Sequence, residues 1–88
     1  MKICGINYEI IEVDDTFNTD AMHFGQIDYA KGKIYINKDL SDDAKKETLC
    51  HEILHALLMY IGRQDLSNDE QFVQALGNVI YQTFIPKE

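Results

Sequence analysis

Apolar and polar residues alternate at the start of the chain. Cys4, Ile6, Tyr8 and Ile10 are separated by Gly5, Asn7 and Glu9, a period of two that predicts a strand. The phase slips where Ile10 and Ile11 are adjacent, which predicts a bulge or the strand's end. Residues 14–22 are rich in turn formers and read as a loop. A hairpin follows. Placing its turn at Lys31-Gly32, with glycine supplying positive φ, pairs Ala30 with Lys33, Tyr29 with Ile34 and Ile27 with Ile36. Tyr29, Ile34, Ile27 and Ile36 then share one face, and Asp28 and Tyr35 the other.

The period then changes to that of a helix. Ser41 is a candidate N-cap, with Asp42 and Asp43 in the first turn, where the helix dipole favours them. Cys50, Ile53, Leu54, Leu57, Leu58 and Ile61 form one stripe at helical spacing, and Gly62 is a natural stop. A second helix is expected after Ser67. Phe72, Val73, Leu76, Val79, Ile80, Thr83 and Phe84 form its inner stripe, and Pro86 lies beyond its end. Strands followed by helices predict an α+β fold: a small antiparallel sheet, made of the N-terminal strand and the hairpin, packed on two helices.

Composition narrows the class. At 88 residues the chain reads as a single domain, residues 1–88, near the lower size limit for independent stability. Its formal net charge of −7 argues against nucleic acid or an anionic membrane as partner. No apolar run approaches a membrane span, and the first residues lack the apolar segment of a secretory signal. The two cysteines, Cys4 and Cys50, read as free thiols of a cytoplasmic protein.

The chemistry lies in His51-Glu52-Ile53-Leu54-His55, an H-E-x-x-H motif on the first helix. Histidines four residues apart share a helical face, and both imidazoles can reach one Zn²⁺. Glu52, beside the first ligand, is placed to act as general base toward a metal-activated water. The plainer alternative is a pair of ordinary surface histidines on an amphipathic helix. A catalytic zinc takes a third protein ligand and keeps one position open. The metzincin continuation is absent, since Leu58 and Ile61 stand where its glycine and third histidine would be. Glu70 and Asp69 are the leading candidates for the third ligand. Glu70 has a competing explanation, because Ser67-x-x-Glu70 is a capping box. His23 reads as a loop histidine and Cys50 as a small buried hydrophobe. Tyr29, Tyr35, Tyr60 and Tyr81 are possible oxyanion donors that equally suit packing.

The motif, with the preceding hairpin segments Gly25-Gln26-Ile27-Asp28-Tyr29 and Lys33-Ile34-Tyr35-Ile36, resembles a minimal zincin. It is similar to small phage-type relatives of the ImmA/IrrE metallopeptidase family, of the gluzincin-like group. The resemblance covers most of residues 24–84. It implies a zincin-like fold, one zinc ion, His51, His55 and Glu70 as metal ligands, and Glu52 as catalytic base. It also implies a protein or peptide substrate, such as a regulator or repressor, bound along the hairpin's edge strand. The larger members' extra helices and DNA-binding domain have no counterpart here. The alternative function is a non-enzymatic, metal-stabilised domain that binds a protein partner through its acidic surface.

Overall fold

A computed structural model describes residues 1–14 and 24–84. His23, Pro86 and nearly all of the expected loop at 14–22 lie outside them. Cys4 and Gly5 both take positive φ, 51° and 82°, and reverse the chain between β1 (Lys2–Ile3) and β2 (Ile6–Asn7). This reversal resets the expected alternation. Ile3 and Tyr8 are buried, whereas Cys4, Ile6 and Ile10 are exposed. The N-terminal segment is thus a short antiparallel ribbon followed by β3 (Glu9–Val13), which runs through the Ile10-Ile11 step unbroken.

β4 (Gly25–Asp28) and β5 (Lys33–Asn37) form the antiparallel hairpin. Its register pairs Ile27 with Ile34 and Gly25 with Ile36. The loop is therefore two residues longer than a turn at Lys31-Gly32 requires. Asp28 Oδ1 accepts the Lys31 amide at 3.1 Å, and Gly32 supplies φ +66°. A slip of two residues preserves the faces, so Ile27, Ile34 and Ile36 still share one side. The third strand corrects the expected all-antiparallel sheet. β3 pairs parallel to β5, with Ile10 opposite Ile34, giving a mixed sheet of order β3-β5-β4.

α1 (Asp42–Tyr60) carries the H-E-x-x-H segment and is capped as its sequence predicts. Ser41 Oγ accepts the Ala44 amide at 3.2 Å. At the other end Gly62, at φ +81°, donates to the Met59 carbonyl and Arg63 to the Leu58 carbonyl, a Schellman closure. The helix packs on two sides rather than one. Ala56 and Ile53 meet Ile3, Tyr8, Ile34 and Ile36 of the sheet-side core. Leu54 and Leu58 meet Val73, with Leu66, Phe72, Leu76 and Ile80 around them. The expected single stripe therefore divides, and its members Leu57 and Ile61 are exposed.

A one-turn helix, α2 (Gln64–Ser67), precedes α3 (Glu70–Phe84). The second long helix thus starts three residues after Ser67, and Ser67 is not its cap. Asp69 is: its Oδ1 accepts the Phe72 amide at 3.1 Å. Val73, Gly77 and Tyr81 are buried, while Val79, Thr83 and Phe84, expected inside, are exposed. At Gly77 the helices come close: a Cβ there would stand 4.0 Å from the His51 Cα. No helix among the described residues is long and apolar enough to cross a membrane.

Candidate metal centre

Three side chains from two helices converge on one point. His51 Nε2 lies 3.1 Å from Glu70 Oε1, and His55 Nε2 lies 3.2 Å from Glu70 Oε2. The two Nε2 atoms are 3.2 Å apart. One ligand atom from each residue falls within a 4.8 Å span. The i, i+4 spacing on α1 sets the first two positions. The turn through Gly62 and α2 brings the start of α3 back to supply the third. Asp69 is occupied as the helix cap and is not in the group. Glu70 is not a capping-box residue, because Ser67 lies on a different helix.

The donor set fits a divalent ion. Two imidazole nitrogens and a carboxylate suit zinc. Two ring nitrogens and a carboxylate crowding one point also form an arrangement that a shared cation stabilises. Ser67 defines the state of one ring. Its hydroxyl donates to the His55 carbonyl at 3.1 Å and lies 3.3 Å from His55 Nδ1. The hydroxyl has a single proton. With that proton on the carbonyl, Ser67 accepts from Nδ1–H, and His55 Nε2 keeps its lone pair toward the centre. Burial, reinforced by the His51 ring, lowers the His55 pKa against the opposing pull of Glu70, which favours the neutral ring a metal needs.

Glu52 lies beside the trio and is only 7% exposed. Burial, with a smaller contribution from the Glu70 charge, raises its pKa to about 7. That value suits a group that must both accept and return a proton near neutral pH. Among the described residues no ion pair includes it.

The trio and Glu52 line a cleft of about 720 Å³. Gly25, Gln26 and Ile27 of β4 form one wall, and Gln74 and Asn78 of α3 help form the other. Among the described strands β4 pairs with β5 alone and is the sheet's edge on the cleft side. Of the four tyrosines considered as oxyanion donors, Tyr29 lines the cleft. Tyr35 and Tyr81 are buried, and the Tyr60 hydroxyl pairs with that of Tyr8. Cys50 is half-buried with Sγ 3.8 Å from the Gly77 carbonyl oxygen, and burial raises its pKa, as suits a packing residue. The sequence reads Ser67 only as the start of a capping box, whereas the structure places it against His55. Its contact with His55 spans 12 residues and depends on α2, which no periodicity marks. No family model, curated protein or solved structure matches the chain.

Proposed function

We propose that the chain is a zinc-dependent metallopeptidase of minimal zincin type. One observation carries the reading: His51, His55 and Glu70 meet within 4.8 Å at the side of an open cleft, with buried Glu52 adjacent. When bound, zinc supplies Lewis-acid activation of water and of the scissile carbonyl. His51 and His55 would hold the ion through Nε2 and Glu70 through its carboxylate. Among the described residues the group has three protein donors, the pattern of a catalytic site, whereas structural sites use four.

Glu52 takes the proton from the attacking water. It then passes that proton to the amine leaving group, which makes the two half-reactions share one carboxylate. Ser67 keeps the His55 ring turned toward the ion. The cleft-side edge of β4 receives an extended peptide as an added strand, so main-chain hydrogen bonds align the substrate and side chains contribute selectivity. The resemblance to ImmA/IrrE-type peptidases supports the same assignment and suggests a regulator or repressor as target.

A non-enzymatic zinc-stapled domain is the competing reading, favoured by small size and an acidic surface. It leaves Glu52 without a role, because a buried carboxylate with no ion-pair partner among the described residues costs stability in a purely structural site. The discriminating experiment loads wild type and Glu52→Gln with zinc and presents both with a peptide library. Wild type is expected to cleave, and Glu52→Gln to bind zinc equally while hydrolysis falls by ~10² or more. Equal zinc with no cleavage by wild type would leave the non-enzymatic reading in place.

A further inference from the structure

We propose that the cleft end formed by Phe24 and Glu47 is a subsite for a basic side chain, arginine or lysine, of the bound peptide. The proposal rests on the metallopeptidase reading and names its substrate class. A Cβ on Gly25 would meet Thr48 Cγ2 at 2.6 Å and Glu52 Cγ at 3.5 Å, so the start of β4 lies directly on α1 at 48–52. Phe24 and Glu47 are the chain neighbours of that contact, and both line the cleft.

Their chemistry is complementary to one kind of side chain. Phe24 is 61% exposed, a large aromatic surface in the wall of a cleft. Glu47 is exposed and belongs to no ion pair among the described residues. The other two cleft carboxylates have separate roles, Glu70 with the histidines and Glu52 buried beneath. Among the described residues that line the cleft there is no lysine or arginine to pair with Glu47 or to anchor a peptide's terminal carboxylate. An arginine or lysine can lay its stem and charge over the Phe24 ring and pair with Glu47. Glu47 precedes His51 by one helical turn, about 6 Å along the axis. An extended peptide covers that distance in about two residues. The subsite therefore lies close to the scissile bond, and the enzyme is an endopeptidase that selects internal basic residues.

The test uses zinc-loaded Glu52→Gln, which holds a peptide without cutting it, and fluorescent peptides blocked at both ends. The peptides carry Arg, Gln or Glu at a scanned position. Arginine at one position is expected to bind about tenfold tighter than glutamate. The preference should weaken with salt, disappear in an added Glu47→Gln and invert in Glu47→Lys. Equal binding of the three peptides, or a preference that survives Glu47→Gln, would overturn the subsite. Binding that requires a free amino terminus would overturn it in favour of an aminopeptidase, and binding of no peptide would overturn it outright. Wild-type hydrolysis is scored separately. Cleavage without a basic preference removes the subsite and leaves the peptidase, whereas no cleavage removes the peptidase reading itself.

Discussion

Ser67 has one hydroxyl proton and two contacts with the same histidine, so in the proposed site it would orient a metal-ligand ring. Ser67→Ala is expected to weaken zinc binding by about 10- to 100-fold, read by competition with a chromophoric chelator. An unchanged affinity would show that the ring needs no such support. Glu52 yields a second prediction at this scale. Its folded pKa, about 7, lies above its ordinary value of 4.5. The folded, metal-free protein therefore holds this proton more tightly than the unfolded chain. The resulting stability is fully present below pH ~4.5 and is lost as pH rises through 7, with a limit of roughly 3 kcal/mol. Glu52→Gln should flatten this slope in urea melts of zinc-free protein, and a slope of unchanged size would assign it to other groups. His51, Glu52 and His55 were legible because a five-residue motif fixes their relation on a helix. The choice between Glu70 and Asp69 was not, since both fall in one turn. In the structure Asp69 caps α3 and Glu70 lies with the two histidines.

At the scale of elements, the hairpin, α1 and both caps of α1 follow from pattern, whereas the strand register and the division of the α1 stripe do not. Turn residues at Cys4 and Gly5 interrupt an alternation that reads as continuous. A helix packed on two sides loses the single stripe that periodicity looks for. The contact that positions the edge strand is likewise invisible in sequence. A methyl on Gly25 would collide with Thr48 Cγ2 at 2.6 Å and press on the Tyr35 carbonyl oxygen at 3.2 Å. Gly25→Ala is expected to cost about 1–3 kcal/mol. Thr48→Ser removes the colliding methyl and should recover part of that loss. A double-mutant cycle in urea should return a coupling of at least ~0.5 kcal/mol, and additive effects would mean that β4 and α1 do not press together there. Gly62→Ala tests a different cause. No atom lies within 4 Å of its Cβ position, so only the left-handed backbone at φ +81° opposes the substitution. A cost of about 1–2 kcal/mol is expected, with zinc affinity unchanged.

Across the described residues, the candidate site and the architecture share the same contacts. Two apolar clusters meet on opposite sides of α1, and the His51, His55 and Glu70 group ties α1 to α3 at the cleft. A domain of this size has little stability to spare, so an ion that binds only the folded state should raise it. At a free zinc concentration 100 times the dissociation constant the gain is about 2.7 kcal/mol. For a chain this short that corresponds to a rise in Tm of 10 °C or more, at about 4–8 °C per kcal/mol. Zinc K-edge X-ray absorption of the one-to-one complex reads the proposed ligand set directly. The expected spectrum has nitrogen and oxygen neighbours at about 2.0–2.1 Å with the outer-shell signature of two imidazoles, one of which disappears in His55→Ala. A sulfur neighbour at about 2.3 Å, or a shell without imidazole, would place the ion elsewhere and contradict the claim.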